Sequence, residues 1–200
     1  MMKEQREDVP KGASFFCVEK HGTIACVNEI KDIPLQKITI KAHLSMNEKI
    51  QINIYKGLPM VLEKVKSVAL SAVIGKSNAW MNNKMNRYIL NGKVSEFTES
   101  DMPLINNALQ LLGDEIAQSI VQYSNDREAV ILQVKQLATV ICMPYIYETV
   151  MGKGRQWYNS RVLARVPGRK VCVFKEDDIL KINMAAMQIA NELRSIEFIL

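Results

Sequence analysis

Apolar residues recur at spacings of three and four positions along most of the chain beyond residue 46, which is the period of an amphipathic helix. One run is Met102, Ile105, Leu109, Leu112, Ile116 and Ile120, and another is Ile179, Ile182, Ala186, Ile189 and Leu193. Shorter apolar stretches predict further helices at about 58–66, 68–74, 78–88, 128–143 and 155–165. The pattern therefore predicts a mainly α protein.

Residues 1–45 follow a different pattern, with short β-prone stretches between turn residues. Residues 15–19 and 23–27 flank a Lys-His-Gly turn and predict a β-hairpin, and residues 37–41 alternate as a third strand. Three short strands are marginal by themselves, so this segment either packs on the helices that follow or forms a mobile arm. Met46 is also a conceivable translation start, because the helical region begins directly after it.

The helical region contains an internal repeat that aligns without gaps. Residues 75–118 match residues 152–195 at 13 of 44 positions, whereas unrelated sequences would match at only a few. The identical pairs include Trp80 with Trp157. We therefore predict a short β-rich or mobile segment at 1–45, a first helical repeat at 46–123 and a second at 124–200.

Each repeat carries signals for two helices joined by a tight turn. Ser67 is a plausible N-cap for a helix over 68–74, and Pro144, at the equivalent place in the second repeat, suits the first turn of a helix. Gly75 and Gly152 then end this helix, as glycine does just past a helix C-terminus. Each repeat is therefore predicted to contain a helix-turn-helix.

Residues 68–85 read VALSAVIGKSNAWMNNKM and resemble the helix-turn-helix of phage-repressor-like regulators. The wider stretch 58–121 looks more closely like a family of small, uncharacterised helical proteins from Bacteroides-type bacteria. The first resemblance implies sequence-specific DNA binding, and the second implies no established activity. The chain departs from the repressor pattern, since Lys76 and Lys153 stand where an aliphatic residue is usual, and Glu148 stands where alanine is usual.

Charge distribution adds to this picture more than the net charge of +5 does. Residues 75–95 contain no Asp or Glu and four basic residues, and residues 152–173 contain no Asp or Glu and six basic residues. Both basic windows fall on equivalent parts of the two repeats. Such windows favour contact with a polyanion.

The predicted second helix of the first repeat places Trp80, Met81 and Met85 on one side and several asparagines on the other. An Asn amide can pair with the edge of adenine in the major groove, and Lys or Arg can reach phosphates. The alternative is an ordinary solvated polar face. The candidate DNA-binding residues are Lys76, Asn78, Asn82, Asn83, Asn86, Arg87, Lys93, Lys153, Arg155, Gln156, Asn159, Ser160, Arg169 and Lys170.

The second repeat departs from a simple DNA reader at Leu163, which falls on the predicted reading face. This side chain either touches a thymine methyl group or marks a contact with another protein. Trp80 and Trp157 are interpreted as core anchors of the two modules and not as stacking platforms.

The sequence offers little for other classes of function. The four cysteines are scattered without a Cys-x-x-Cys pair, and there is no phosphate loop and no Ser or Cys nucleophile with a nearby histidine. No apolar run approaches the roughly 20 residues of a membrane span. We therefore expect a cytoplasmic, non-enzymatic protein with no cofactor, no metal, no membrane contact and no small-molecule substrate.

Two functional hypotheses remain. The first is a DNA-binding transcriptional regulator whose two linked helix-turn-helix modules act as a built-in pseudo-dimer on duplex DNA. The second is a non-catalytic protein-interaction or assembly module, with a protein partner contacted through the second repeat. The acid-free basic windows favour the first hypothesis, and Glu148 and Leu163 favour the second.

Overall fold

The structure, a computed structural model, describes residues 49–163 and 172–200 in full and the backbone of residues 16–17 and 26–27. The chain divides into two compact units, Met1–Leu44 and Ser45–Leu200. In the first unit, strands β1 (Phe16–Cys17) and β2 (Cys26–Val27) pair antiparallel. The rest of the predicted hairpin, the predicted strand at 37–41 and Met46 lie outside the described residues.

The second unit is built from helices and short strand pairs around one apolar core, which confirms the prediction of a mainly α protein for the part of the chain described. Its first half contains β3 (Ile50–Asn53), α1 (Ile54–Lys64), α2 (Ser67–Ile74), α3 (Asn78–Met85), β4 (Ile89–Leu90), β5 (Lys93–Val94), a 3-10 turn (Glu99–Asp101) and α4 (Met102–Gln118). Its second half contains α5 (Arg127–Val140), a π-helical segment (Tyr145–Val150), α6 (Arg155–Val162), α7 (Glu176–Ser195) and β6 (Ile196–Ile199).

The structure confirms the helix ends predicted at Gly75 and Gly152 but not the helix start predicted at Ser67. Gly75 and Gly152 have φ values of 74° and 62°, a left-handed conformation that glycine adopts without steric strain. Lys66, and not Ser67, occupies the N-cap position of α2, so the predicted serine cap is wrong by one residue. Pro144 directly precedes the π-helical segment.

The helix predicted over 78–88 stops earlier, at Met85. Arg87 has a φ of 52°, which breaks the helical path. The chain then forms an antiparallel hairpin in which β4 pairs with β5. Asn91 and Gly92 both have positive φ, as a two-residue hairpin turn of type I′ requires.

One asparagine on α4 and one on α7 make matching contacts with backbone of the opposite half. The Asn106 side chain accepts from the Phe198 N–H at 2.7 Å and donates to the Phe198 carbonyl at 3.0 Å. The Asn183 side chain makes the same two bonds with the backbone of Val121, at 3.0 and 2.8 Å. The repeat aligns Asn183 with Asn106 and, in the same register, Phe198 with Val121, so the contacts have the reciprocal form of a two-fold interface.

The same pairing shows that α4 and α7 run antiparallel, and small residues stand where they cross. A Cβ atom built on Gly113 would lie 2.9 Å from the Ala190 carbonyl oxygen and 2.9 Å from Cγ of Arg194. Ala190 is itself the residue of the second repeat that aligns with Gly113. The absence of a side chain on Gly113 therefore allows the two helices to approach closely.

The beginning and the end of the second unit are joined by a parallel strand pair. Strand β3 pairs with β6 in a register that places Ile50 beside Ile196 and Asn53 beside Ile199. Phe198 from this pair is only 1% exposed and packs so close to Gly57 on α1 that a Cβ there would lie 2.5 Å from its ring. Both predicted repeats thus contribute to one core, while the predicted boundary between residues 123 and 124 stays a prediction.

We expect Asn106→Ala and Asn183→Ala to lower the free energy of unfolding by about 1–3 kcal/mol each, because each leaves a backbone N–H and C=O without partners. Chemical denaturation monitored by circular dichroism measures the effect. Asn107→Ala is the matched control, since Asn107 is the exposed neighbour on α4. Equal stability of the Asn106 and Asn107 variants would contradict a stabilising role for the reciprocal contacts.

Candidate nucleic-acid interface

The turn between α2 and α3 is fixed by hydrogen bonds and by a buried contact. The Lys76 N–H donates to the Ser71 carbonyl at 3.0 Å, and the Ser77 hydroxyl accepts from the Trp80 N–H at 3.1 Å. Ser71 is buried on α2, and its Oγ lies 3.9 Å from Sδ of Met81 on α3. This short residue lets α3 pack closely across α2.

Helix α3 presents one side to the core and leaves a polar side partly open. Met81 is buried, and the Trp80 ring meets the Phe97 ring edge-to-face at 6.0 Å. Trp80 and its counterpart Trp157 are not fully buried and pack against the core, so they form its edge and not its centre.

The asparagines of α3 are less uniformly exposed than the sequence pattern suggests. Asn86 is exposed, whereas Asn78, Asn82 and Asn83 are half-buried. The Oδ1 atom of Asn78 is buried without a hydrogen-bond partner among the described residues. The Asn86 amide group donates to the Asn82 carbonyl at 2.8 Å, so the amides without a hydrogen bond among the described residues that are partly open to a ligand are those of Asn82 and Asn83.

Three basic side chains lie close to α3 in the chain. Lys76, Arg87 and Lys93 are all exposed, and none of them forms an ion pair within residues 49–163 and 172–200. The Arg87 guanidinium lies over the Tyr55 ring at 4.3 Å, which fixes its direction without neutralising its charge. These charges are available to phosphates.

Lys84, in contrast, is used internally. Its ammonium group lies 2.9 Å from Oδ2 of Asp101, donates to the Glu96 carbonyl at 2.7 Å and lies over the Trp80 ring at 5.2 Å. It joins α3 to the turn that opens α4. It is therefore a structural cation.

The same arrangement recurs at the equivalent place in the second half. Arg161 Nε lies 3.7 Å from Oδ2 of Asp178, and the Arg161 guanidinium lies over the Trp157 ring at 4.3 Å. The Trp157 and Phe174 rings meet edge-to-face at 5.8 Å. The local packing around α6 therefore repeats that around α3.

The second half departs from the first at the segment before this turn. Residues Tyr145–Val150 form a π-helical segment where the first half has the α-helix α2. Buried Tyr147 stacks on Tyr158 at 5.2 Å, whereas Glu148 is exposed. Burial, together with the neighbouring Tyr147, raises the pKa of Tyr158. The wider helical turn thus places an aromatic ring against α6 and leaves the charge of Glu148 in solvent.

The structure describes most of the candidate residues of the second half. Lys153, Arg155, Gln156 and Ser160 are exposed, and Asn159 is half-buried. The Ser160 hydroxyl donates to the Trp157 carbonyl at 2.9 Å. Arg169 and Lys170 lie outside the described residues.

Leu163 follows directly after α6 and is 60% exposed. The Arg127 guanidinium donates to the carbonyls of Arg161 and Leu163, both at 3.0 Å, and to that of Cys172 at 3.4 Å. The apolar side chain is therefore presented to solvent by a backbone that is firmly held.

The hairpin after α3 was not predicted from the sequence, in which residues 91–92 were interpreted as a polar connection. Tyr88, Ile89, Leu90 and Val94 are all exposed there, next to Lys93. An Asn-Gly pair between β-branched and apolar residues is a strong hairpin signal, and it was available in the sequence.

Asp101, which lies close to Lys84 of this site, has a shifted pKa. Burial raises the pKa of Asp101, but hydrogen bonds from Lys84 and from the backbone and hydroxyl of Thr98 outweigh it and hold the pKa below its usual value. At pH values above the ordinary pKa of a carboxyl group, the ionised Asp101 carboxylate therefore stabilises the fold. This stabilisation is lost as the pH falls through the lower pKa of the folded state.

We expect Asp101→Asn to reduce the free energy of unfolding by about 1–3 kcal/mol at neutral pH, because it weakens a partly buried charged hydrogen bond. The difference from the parent should be smaller at acidic pH than at neutral pH, because the parent carboxylate is increasingly protonated as the pH falls through its lowered pKa. Urea unfolding at both pH values tests this. Glu99→Gln removes the same charge from an exposed neighbour, so equal effects of the two variants would refute the assignment.

The described residues form a mainly helical protein with a compact α2–turn–α3 unit and exposed basic residues near it in the chain. The family model of a domain of unknown function, DUF5053, matches residues 61–123, which run from α1 to just beyond α4. The chain is similar to that family over this stretch, and the family description assigns no activity. No curated protein and no solved structure matches the chain.

Two other kinds of site are absent from the described residues. No described helix combines the length and the apolar character needed to cross a membrane. No group of three or more metal-ligating side chains converges in that part of the chain.

Proposed function

We propose that this chain is a DNA-binding protein, and specifically a transcriptional regulator, in which two tandem helix-turn-helix modules act as a built-in pseudo-dimer. The observation that carries the proposal is the polar side of α3 together with three exposed basic residues near it in the chain. These are Lys76, Arg87 and Lys93, and none of them forms an ion pair among the described residues. The α2–turn–α3 unit supports this assignment, since its second helix is open on the side away from the core. A DNA target also accords with the cytoplasmic location expected from the sequence.

The contacts that recur at equivalent positions of the two repeats support the pseudo-dimer. The Lys84–Asp101 and Arg161–Asp178 pairs build the two modules alike, and the reciprocal asparagine contacts relate them as the subunits of a symmetric dimer are related. In such dimers two reading helices meet half-sites about 34 Å apart, one turn of the duplex. The modules would then act on one duplex without a second chain.

Each residue class has a distinct part in this proposal. Asn82, whose amide makes no hydrogen bond among the described residues, would read a base edge, while Lys93 would contact a phosphate. In the second module, Gln156 and Asn159 would contact base edges, while Lys153 and Arg155 would contact the DNA phosphates. The two modules would therefore read different half-sites.

The test is fluorescence anisotropy with a duplex selected from a random pool and a scrambled duplex, from low to physiological salt. We expect Asn82→Ala to reduce the difference in binding affinity between the selected and the scrambled duplex. Lys93→Ala should weaken binding to both duplexes. It should also reduce the slope of log affinity against log salt concentration by roughly one unit. Lys135→Ala is the control, since Lys135 is an exposed lysine on α5. Absence of binding even at low salt would eliminate the proposal.

A second candidate function is a non-catalytic protein-interaction module, favoured by the exposed Leu163 on its anchored backbone. An apolar side chain held at the end of α6 suits a protein surface better than a groove lined with phosphates. If the anisotropy series shows no binding, this function becomes the leading one. Loss of a co-purifying partner on Leu163→Ser would then support it.

A further inference from the structure

The hairpin formed by residues 88–95 exposes an unusual amount of apolar surface for its size. Ile89 is 72% exposed, and Val94, its cross-strand partner, is 53% exposed. Because directly opposed residues share one face of a strand pair, these two side chains form a single apolar edge. Leu90 and Lys93, the other opposed pair, lie on the second face.

Hydrogen bonds attach this hairpin to α3 near both of its ends. The Tyr88 N–H donates to the Asn83 carbonyl at 3.0 Å, and the Lys84 ammonium group donates to the Glu96 carbonyl at 2.7 Å. The Ser95 N–H closes the base of the hairpin by donating to the Tyr88 carbonyl at 2.8 Å. The position of the hairpin relative to α3 is therefore fixed by these bonds.

The charge around the hairpin identifies the occupant. Lys93 is exposed in β5, Arg87 is exposed just before the hairpin, and residues 75–95 contain no acid. Packing two such hairpins against each other would bring four positive charges together, which disfavours a second copy as the occupant. A polyanion with an apolar interior satisfies both the charges and the apolar edge, and duplex DNA is such a polyanion.

We propose that the Ile89–Val94 edge is a wedge that enters the minor groove beside the major-groove site of α3 and bends the duplex; this rests on the proposed function. Apolar side chains inserted between base steps partly unstack them and kink DNA toward the major groove. Pyrimidine–purine steps unstack most readily, so the wedge would add a preference for such steps beside the sequence read by α3. Lys93, on the other face of the hairpin, and Arg87, just before it in the chain, would contact phosphates next to the groove.

The test is a bending assay on a selected duplex labelled at both ends with a donor and an acceptor dye. The full-length parent chain should raise energy transfer by an amount that corresponds to a bend of about 20–90°. Ile89→Thr keeps a β-branched residue in the strand and should retain binding within about threefold by anisotropy while losing most of the bend. Val68→Thr is the control, since Val68 is 62% exposed on α2, and it should keep both binding and bending.

The outcomes separate the wedge from the proposed function. Full bending by Ile89→Thr, or an unbent duplex with the parent, would overturn the wedge and leave DNA binding standing. No binding by the parent would overturn both. Sedimentation velocity that shows a parent dimer dissociated by Ile89→Thr, without any change in DNA bending, would assign the edge to a second copy of the chain instead. Equal melting temperatures of parent and variants establish that each variant folds.

Discussion

Replacing Phe198 with alanine is expected to lower the free energy of unfolding by about 3–5 kcal/mol, the cost of emptying a buried aromatic site. Phe198 is 1% exposed, although it stands close to the last residue of the sequence, Leu200. Its ring fills the space beside Gly57 on α1, and its backbone is held by Asn106 on α4. Its loss therefore weakens the packing of both helices around the β3–β6 pair.

Chemical denaturation measures this change, with Leu200→Ala as the control. Leu200 is 41% exposed and lies just beyond Phe198 in the chain, so its replacement should change stability little. A shift of roughly 2–4 °C in melting temperature is expected for each kcal/mol in a chain of this size. If both variants melt like the parent, the C-terminal strand does not belong to the core.

The second large effect is expected at the crossing of α4 and α7, where Gly113→Val should cost about 1–3 kcal/mol or more. A Cβ at this position would stand 2.9 Å from a backbone oxygen of α7, which cannot move aside as a side chain can. The helices must then separate, and the reciprocal asparagine contacts on either side of the crossing must lengthen. Adding bulk here consequently strains the packing between the two halves.

Gly154→Ala is the control for a change at a glycine, because Gly154 has a negative φ and no atom lies within 4 Å of the position that a Cβ would occupy. It should leave the melting temperature close to that of the parent. Gly113→Val should also reduce DNA binding in the anisotropy assay if both modules must be held in one arrangement. Unchanged stability of Gly113→Val would show that the crossing tolerates bulk and would contradict the close approach.

The local signals of the sequence were sufficient to place most helices. The spacing of Ile105, Leu109 and Leu112 predicts α4, and all three side chains are buried in it. Glycine's tolerance of positive φ places the helix ends at Gly75 and Gly152. The candidate basic residues were also chosen from the sequence alone, because charge patterning requires no knowledge of distant contacts.

Features that depend on distant contacts could not be predicted in this way. Strands β3 and β6 are short and lie at opposite ends of the second unit, so neither carries a local signal for the other. The bonds of Asn106 and Asn183 to backbone of the opposite half are equally invisible in the local pattern, although both residues appear in the match between the repeats.

The exposure of the asparagines on α3 could not be predicted from the sequence alone. Helical periodicity placed Asn78, Asn82, Asn83 and Asn86 on one side of α3, and only packing decided that Asn86 is exposed while the other three are half-buried. Tertiary contacts also decided that Lys84 is occupied by Asp101 while Lys93 stays in solvent. The sequence determined which residue types lie near the surface, because period and charge are local properties. The availability of each side chain was decided by partners brought together only when the chain folds.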